Sequence, residues 1–371
     1  MKKPSIFLCF LLIGLIFTFF RVHPVKSGST IVVPYDYLKI QDAINHAVAG
    51  DTVLVKAGTY VENVVVTKSI SLISDKRRAA RIEPTSGNGI TVEADGVQIR
   101  GFSIVVCESE SGIRLNSTSN CYIFDNKITL DLGYIGISVS SGTENTIIRN
   151  RITGCGNEGI VLGGSYNNTV TRNYINTHYW SISLSNSNAC LVSENWCFTH
   201  WDWHIFALWW SHNNIVEGNT FCAEIGWPSE VDVWESTNNT LYHNNFEWWS
   251  CIVNVNPGST GNVWDNGVEG NYWYDYAGND TNGDGVGDTD LPHNGLDAYP
   301  LMEPYFFLWL ADVDDDYDVD IFDVVAVATI YGSTPADPDW NSDCDVAEPY
   351  DIIDIFDVVV VAKDYGTTLF G

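Results

Sequence analysis

The chain has 371 residues, and its 18 Lys and Arg stand against 47 Asp and Glu, so the formal net charge is −29. Nucleic-acid binding needs a surface rich in Lys and Arg, so this charge argues against a polynucleotide partner and favours divalent cations. Hydrophobic residues make up 45% of the chain and 14 residues are Trp, a composition that excludes a disordered acidic protein. The acidity is also uneven, because no Lys or Arg lies between Arg172 and Lys363.

Residues 1–27 are typical of a secretory signal peptide. Lys2 and Lys3 precede an apolar run from Ile6 to Phe20, and the segment ends in the sequence VKS. The alternative is an uncleaved anchor, for which the run is short. We therefore predict a secreted, extracellular protein, in solution or at the cell surface, with no membrane span after cleavage. Glycosylation-type sequons fit that location and occur at Asn116, Asn167, Asn238 and Asn279.

The eight cysteines after residue 27 include no C-x-x-C pair. Their wide spacing does not indicate a compact disulfide framework, so we expect most of them to be small apolar core residues. Cys197 and Cys222 lie at similar points of consecutive repeats, so they are the pair we expect to bridge if a disulfide forms.

The middle of the chain repeats a short phrase that runs from one asparagine through alternating apolar residues to a second asparagine. The second asparagines are 22 to 25 residues apart: Asn126, Asn150, Asn173, Asn195, Asn219, Asn244 and Asn266. A sustained period of this length indicates a solenoid. The alternation has period two, as in GISVSSG and GIVLGGS, so the repeats are strands. We predict a mainly β fold, a right-handed parallel β-helix whose asparagines stack at a turn.

The two ends of this region carry a family resemblance. The segment IVVPYDYLKIQDAINHAVAGDTVLVKAGTYVENVVVTKSISLISD resembles the cap and first coils of NosD-type and pectate-lyase-like β-helix proteins. There a short N-terminal helix, here about Gln41 to Ala49, covers the open end of the solenoid. The segments NYWYDYAGNDTNGDGVGD and LDAYPLMEP resemble the closing part. The resemblance implies a β-helix domain over residues 28–305 and no single activity, because the family mixes lyases, hydrolases, epimerases and accessory proteins.

Calcium ligation is the sharpest chemistry in the sequence. Six carboxylates occupy positions 1, 3, 5, 7, 9 and 12 of an EF-hand-like loop, the spacing that surrounds Ca²⁺ with oxygen ligands. They are Asp312, Asp314, Asp316, Asp318, Asp320 and Asp323. Tyr317 departs from the pattern, because such loops usually have Gly at that point.

The unit repeats 34 residues later, where DIFDVVVVAKDYG matches DIFDVVAVATIYG. The second loop offers Asp343, Asp345, Asp351, Asp354 and Asp357, over a longer span. This duplication resembles a type I dockerin over residues 311–367. The resemblance implies a small all-α, calcium-binding domain that docks onto a cohesin module of a scaffold or surface protein.

A third acidic loop, residues 280–290, closes the predicted β-helix. Its oxygen-bearing residues are spaced like calcium ligands: Asp280, Asn282, Asp284 and Asp288. We expect structural Ca²⁺ there, with a plain polar turn as the alternative.

Ten of the 14 Trp lie between Trp180 and Trp249. Aligning the repeats predicts an outward ladder of aromatic rings and carboxylates, a combination that suits the apolar faces and hydroxyl groups of sugars. The expected polysaccharide-binding residues are Glu158, Tyr179, Trp180, Trp203, Trp248 and Trp249. The candidate catalytic carboxylates are Asp202, Glu230 and Asp232, and His200, His204, His212 and His243 are further acid–base candidates.

Several functions stay open at this point. A glycoside hydrolase needs two carboxyl groups about 5–10 Å apart, whereas a lyase acting on uronates needs a cationic partner that the second half of the solenoid lacks. A binding module needs only the aromatic ladder, and a structural or adhesion protein of the cell surface needs no groove. Copper handling, which the NosD resemblance suggests, is disfavoured because the histidines are scattered and Met is scarce.

Overall fold

The computed structural model describes residues 28–106, 111–130, 135–154, 156–200, 204–223, 229–247, 251–305, 313, 319–334, 337, 341, 344, 352–363 and 365. The predicted signal peptide, residues 1–27, lies outside these ranges. Within them, no helix is both long and apolar enough to cross a membrane.

Three parallel sheets, joined by short turns, make up most of the described chain. Sheet 1 contains Thr30–Val33, Thr52–Val55, Ser71–Ser74, Gln98–Arg100, Tyr122–Phe124, Thr146–Ile148, Thr169–Thr171, Leu191–Ser193, Ile215–Glu217 and Thr240–Tyr242. Sheet 2 contains Gly58–Tyr60, Ala80–Ile82, Phe102–Val106, Lys127–Leu130, Arg151–Gly154, Tyr174–Thr177, Trp196–Thr199, Thr220–Ala223, Asn245–Phe246 and Tyr272–Trp273. Sheet 3 contains Val64–Val66, Ile90–Val92, Ser111–Asn116, Ile135–Ser140, Glu158–Gly163, Trp180–Ser185, His204–Trp209, Ser229–Trp234 and Cys251–Val255.

Each coil visits sheets 1, 2 and 3 in turn, and each strand pairs with the equivalent strand of the next coil. Ile123, for example, pairs with Ile147, which pairs with Val170. The strands alternate between inward aliphatic and outward polar residues, so the inward residues stack into one continuous core along the solenoid. The predicted mainly β, parallel solenoid is therefore confirmed, and it makes about nine turns rather than the expected ten.

An asparagine ladder fills the corner between sheets 1 and 2. Asn173 shows its geometry: its Oδ1 accepts hydrogen bonds from the backbone N and the Nδ2 of Asn150, at 2.9 and 3.1 Å. Its Nδ2 donates to Oδ1 of Asn195 and to the carbonyl groups of Ile147 and Thr171, each at 2.9 Å. The amide thus satisfies backbone groups that the sharp corner would leave buried without partners.

The ladder runs through Asn126, Asn150, Asn173, Asn195, Asn219, Asn244 and Asn271. The first six ladder positions were predicted correctly, but the prediction of Asn266 as the seventh was wrong. Between Asn244 and the next ladder position the chain makes an extra turn. There Asn266 Oδ1 instead accepts hydrogen bonds from the backbone N of Val268 and Glu269, at 3.0 and 2.9 Å.

The corner between sheets 3 and 1 carries two further columns that were not predicted. The first contains Asn145, Asn168, Asn214, Asn239 and Asn262, with Cys121 and Cys190 at equivalent positions. The second contains Ser165, Ser187, Ser211, Ser236 and Ser259, where each Oγ accepts from the backbone N of the preceding coil. Both columns are almost entirely buried along most of their length.

A buried carboxylate ends the first ladder. Asp297 Oδ2 accepts hydrogen bonds from the backbone N of Asn271 at 2.7 Å and from Nε1 of Trp273 at 2.8 Å, and Oδ1 accepts from the backbone N of Tyr299. Burial nevertheless raises the pKa of Asp297 above its usual value, even though these hydrogen bonds act in the opposite direction.

A seven-residue helix, Ile40–His46, follows the first strand and ends before the predicted Ala49. Its buried residues are Ile40, Ala43 and Ile44, and it packs against the strands of the first coils. The Glu62 carboxylate accepts hydrogen bonds from the backbone N of Ile40 and Gln41, at 2.9 and 3.0 Å, and so satisfies N–H groups at the start of the helix.

Two helices, Ile321–Thr329 and Ile355–Lys363, lie near the C-terminus and contact each other. Their fully buried residues Val327 and Val361 share a small cluster with Ile353 and Cys344, separate from the solenoid core. The matching positions of the two valines follow from the sequence duplication.

The predicted bridge between Cys197 and Cys222 is wrong, because neither residue forms a disulfide. Cys197 pairs in register with Phe221, and Phe198 pairs with Cys222. The two cysteines are therefore offset by one residue and point to opposite faces of sheet 2. Burial raises the pKa of the Cys197 thiol, as expected of a small core residue.

Replacing Asn173 with Ala removes five buried hydrogen bonds and leaves backbone groups of two coils without partners. We expect Asn173→Ala to lower the free energy of unfolding by about 3–5 kcal/mol in denaturant titrations. Asn176→Ala is the control, because Asn176 lies on the outer face and its Oδ1 contacts only Nε2 of His200, at 2.8 Å. A loss of about 1 kcal/mol is expected there, and equal losses for the two variants would contradict the role of the ladder.

The raised pKa of Asp297 predicts a pH-dependent stability. A carboxyl group of this kind favours folding in its neutral form, so its contribution is complete below the unfolded pKa of about 3.9 and is lost as the pH rises through the folded pKa. The wild type should therefore lose stability relative to Asp297→Asn as the pH rises above about 4. Chemical denaturation of both proteins at a series of pH values from about 4 upward measures the difference, and a difference that does not change with pH would refute the prediction.

Candidate functional site

The outer surface of sheet 3 carries the candidate site, between the strands Glu158–Gly163 and Ser229–Trp234. We name it the tryptophan face and define it by Glu158, Trp180, Ser183, His204, Trp209, Asp232 and Trp234. The parallel register places these residues in neighbouring coils: Trp180 lies opposite Glu158, and Trp209 lies between Ser185 and Trp234.

The rings of this face are tilted against one another. The Trp180 and Trp209 ring centroids are 4.8 Å apart, with an angle of 77° between the planes. His204 meets Trp209 edge to face at 6.0 Å and lies 5.8 Å from Trp180. Trp234 is 46% exposed. Because the planes are tilted, their faces are not all covered by neighbouring rings, so this surface can offer a ring face to a ligand.

Two carboxylates flank the rings. Asp232 Oδ2 accepts a hydrogen bond from Nε1 of Trp209 at 2.6 Å, which fixes the orientation of that indole. Glu158 lies at the other side, where Ser183 Oγ donates to its Oε2 at 3.5 Å. Burial raises the pKa of Glu158 above its usual value, so this carboxyl group keeps its proton to a higher pH than an exposed one.

The separation of these carboxylates limits the chemistry of the described face. The strands of Glu158 and Asp232 are separated by three strand spacings, about 14 Å along the solenoid. A glycoside hydrolase requires carboxyl groups about 5–10 Å apart. Among the side chains that the structure describes, Glu158 and Asp232 therefore do not form such a pair.

The predicted site residues divide into three groups. Glu158, Trp180 and Asp232 lie on the face, and Tyr179 is half-buried immediately before Trp180. Glu230 is described only by its backbone, which pairs with His204 and Ile252. Asp202, Trp203, Trp248 and Trp249 lie outside the described residues.

The register differs from the predicted alignment in two coils. His204, rather than Trp203, lies opposite Glu230 on one side, and Ile252, rather than Trp249, lies opposite it on the other. Trp209 and Trp234 were not predicted to belong to the site. Each of them is the last residue of its six-residue strand, five positions after the first. Ser185 ends the preceding strand in the same way and pairs in register with Trp209, so an alignment of the strand ends finds this column.

Of the other candidate histidines, His200 contacts Asn176, His212 Nδ1 lies 2.9 Å from Thr237 Oγ1, and His243 pairs with Glu269 at 2.7 Å. They lie in other parts of the coils and do not join the tryptophan face.

A second aromatic group, on the outer surface of sheet 2, is arranged differently. The Arg151 guanidinium lies 4.1 Å from the Tyr174 ring centroid, and Tyr174 stacks on Trp196 at 4.8 Å with only 11° between the planes. Phe198 is nearly parallel to Trp196 as well. Face-to-face stacking along the solenoid leaves mainly ring edges toward solvent, so this column contributes packing.

The loop of residues 280–290 is organised by its own carboxylates. Asp280 accepts hydrogen bonds from the backbone N of Gly285 and Gly283, at 2.9 and 2.6 Å, and these bonds hold its pKa below the usual value. Thr281 donates from its backbone N and from Oγ1 to Asp288 Oδ2, which lowers the pKa of Asp288. Both groups therefore stay ionised at low pH. Asn282 and Asp284 form similar turns with the backbone N two residues on.

Four of the calcium ligands predicted in the two C-terminal repeats lie among the described residues. Asp320 caps the first helix by accepting from the backbone N of Phe322 at 2.6 Å, and Asp354 accepts in the same way from Phe356. Asp323 and Asp357 are fully buried and accept from the backbone N of Asp320 and Asp354. The predicted ligands outside the described residues are Asp312, Asp314, Asp316, Asp318, Asp343, Asp345 and Asp351.

Asp323 and Asp357 thus occupy equivalent positions of the two repeats, and both carboxylates are buried. Within the described part of the chain, no three His, Cys, Asp or Glu side chains are grouped as metal ligands.

Comparison with known proteins supports the fold. The family model "right handed beta helix region" matches residues 78–221. A cell surface glycoprotein of Methanothermus fervidus is 32% identical over 94 residues, which are 25% of this chain and 16% of that protein. The chain therefore matches only a small part of this relative's length.

Similar solved structures include Dettilon tailspike protein, with 13% identity, a TM-score of 0.43 and coverage of 66% of both chains. An alginate lyase from Paenibacillus sp. str. FPU-7 has 16% identity and a TM-score of 0.44, over 66% of this chain and 97% of that one. Pectate lyase Pel9A has 12% identity and a TM-score of 0.40, over 62% and 74%.

Proposed function

We propose that the protein acts outside the cell, where its β-helix binds a neutral polysaccharide through the tryptophan face. The observation that carries this proposal is the tilted pair of Trp180 and Trp209, which is held in place by Asp232. Indole faces contact the apolar C–H faces of sugar rings, and adjacent carboxylates accept hydrogen bonds from sugar hydroxyl groups. The absence of Lys and Arg from residues 173–362 disfavours polyanionic chains at this face.

Binding rather than hydrolysis is the activity that this face supports. Glu158 and Asp232 are too far apart to act as an acid–base pair, and Asp232 already holds the Trp209 indole. A structural role at the cell surface is the second candidate, and the partial similarity to the Methanothermus fervidus cell surface glycoprotein favours it.

The terminal segments complete the proposal. The helix Ile40–His46 covers the first coil as a cap, since its apolar side packs on strands whose edge would otherwise be open. The duplicated helices of residues 311–367 form a dockerin-like module that binds Ca²⁺ and attaches the β-helix to a cohesin-type partner. The buried pair Asp323 and Asp357 supports this role.

Glycan binding is tested by affinity electrophoresis and calorimetry of the full chain against neutral polysaccharides. Trp180→Ala and Trp209→Ala should each weaken binding about 10-fold or more, because each removes a ring of the contact surface. Trp196→Ala is the matched control, since Trp196 belongs to the stacked column on sheet 2 and its loss should leave the affinity unchanged. If all three variants bound as tightly as the wild type, the tryptophan face would not be the binding surface. Release of new chain ends by the wild type would show catalysis instead.

Calcium binding is tested by titrating the chelator-treated full chain with Ca²⁺ while measuring stoichiometry and thermal unfolding. The unfolding of the two C-terminal helices should be shifted to higher temperature, by an amount equivalent to about 2.7 kcal/mol at a hundredfold excess over the dissociation constant. Asp323→Asn and Asp357→Asn should each lower the number of bound ions while the helical content stays constant. Asp337→Asn is the control, because Asp337 only caps the turn at Thr334. An unchanged stoichiometry in both test variants would refute the assignment.

A further inference from the structure

A cavity of about 630 Å³ opens on the outer surface of sheet 1, in the first coils of the solenoid. Its volume lies within the range of small-molecule sites. One register column forms its floor, in which Leu54, Ile73, Arg100 and Phe124 are paired from strand to strand. It lies on a different sheet, and in different coils, from the tryptophan face.

The segment 75–79 forms one wall of the cavity. Arg77 and Arg78 extend from it across two coils to the buried Asp125, with Nε–Oδ2 and Nη2–Oδ1 distances of 2.8 Å. The intervening corner residue is Gly101, at φ 74°, which places no side chain between them. Two guanidinium groups on one buried carboxylate hold this wall in place.

The lining of the cavity contains two cations and two carboxylates, Arg77 and Arg100 against Asp75 and Asp125. Neighbouring cations pair with both carboxylates: Lys56 contacts Asp75 at 2.9 Å, and Arg78 joins Arg77 on Asp125. Arg100 is therefore the additional cation of the lining, and no carboxylate of the described residues lies within ion-pair distance of it.

Arg100 is exposed and its guanidinium lies 5.1 Å from the Phe124 ring centroid, an arrangement that restrains the group while its N–H donors face solvent. Gln98 lies two residues earlier on the same strand and therefore points to the same face. Its side-chain amide makes no hydrogen bond to the described residues, although it lines the cavity. The strand Gln98–Arg100 thus presents a charged guanidinium group and a neutral amide group next to each other, beside the apolar residues of the lining.

We propose that this cavity binds a sugar residue that bears an oxyanion, either a carboxylate or a sulfate. Arg100 pairs with the oxyanion, because its planar fork matches two oxygen atoms at once. Gln98 hydrogen-bonds to ring hydroxyl groups, and Leu54, Ile73 and Phe124 contact the apolar face of the ring. This site is independent of neutral-glycan binding at the tryptophan face, so the chain holds two carbohydrate sites of different charge preference.

Calorimetry of the full chain with three matched glucose trisaccharides tests the proposal: one neutral, one carboxylated at C6 and one sulfated at C6. At least one anionic probe should bind about 10-fold or more tightly than the neutral one, and the comparison of the two anionic probes identifies the preferred oxyanion. Arg100→Ala should weaken that binding about 10- to 100-fold, the effect of losing a charge-assisted hydrogen-bonded pair. Arg100→Lys should retain part of it, because Lys keeps the charge but not the fork.

Two control variants separate this site from other effects. Arg81→Ala removes an exposed cation that is paired with Glu83 on sheet 2, and Trp180→Ala alters the tryptophan face. Both should bind the anionic probe like the wild type, and circular dichroism should show the same fold in every variant. Lack of binding by both anionic probes, equal affinity for the neutral probe, or an Arg100→Ala variant with wild-type affinity would each overturn the proposal. The neutral and anionic probes are also compared in the Trp180→Ala variant, so that neutral-glycan binding at the tryptophan face does not enter that comparison.

Discussion

The structure depends on the hydrogen bonds that join each coil to the next at its corners. A strand pair supplies its own ladder of backbone bonds, but a sharp corner leaves N–H and C=O groups buried without partners. Asn173 satisfies them in both directions, through Asn150 on one side and Asn195 on the other. From Asn126 to Asn271 each coil therefore brings an amide group to the same corner, and this requirement keeps the repeat length nearly constant there. In the earlier coils, which lack the ladder, the segment 75–79 leaves the solenoid at that corner.

This constraint also determines where function can lie. The interior is filled by stacked aliphatic side chains, so chemistry is confined to the outer faces of the sheets. Equivalent outward residues then lie one strand spacing apart, and the angle between their rings decides their role. Tyr174 and Trp196 are nearly parallel and cover each other, whereas Trp180 and Trp209 are almost perpendicular. The same residue types thus contribute packing on sheet 2 and form, on sheet 3, the surface for which we propose ligand binding.

Charge is divided along the solenoid in the same way. Within the solenoid region all Lys and Arg lie at or before Arg172, and the loops and helices after residue 280 are acidic. In the first coils, Arg77 and Arg100 line a cavity with an apolar floor. In the last coils, carboxylates lie beside tryptophans or organise their own turns, as Asp280 does. This division is the basis on which we propose two binding surfaces that differ in the charge of the ligand they favour.

The sequence by itself determined the solenoid, because a 22- to 25-residue period and a two-residue alternation are local patterns that any reader of the chain can count. It also determined the ladder from Asn126 to Asn244 and the presence of Glu158, Trp180 and Asp232 on one face. Register was decided by the tertiary structure, since a shift of one residue moves a side chain to the opposite face. That is why His204 replaces Trp203 opposite Glu230 and why Cys197 and Cys222 do not meet. Asn271 replaces Asn266 because the chain makes an extra turn before it. The cavity at Arg100 depends on a segment that reaches across two coils to Asp125, a contact between residues 47 and 48 positions apart that no local pattern encodes.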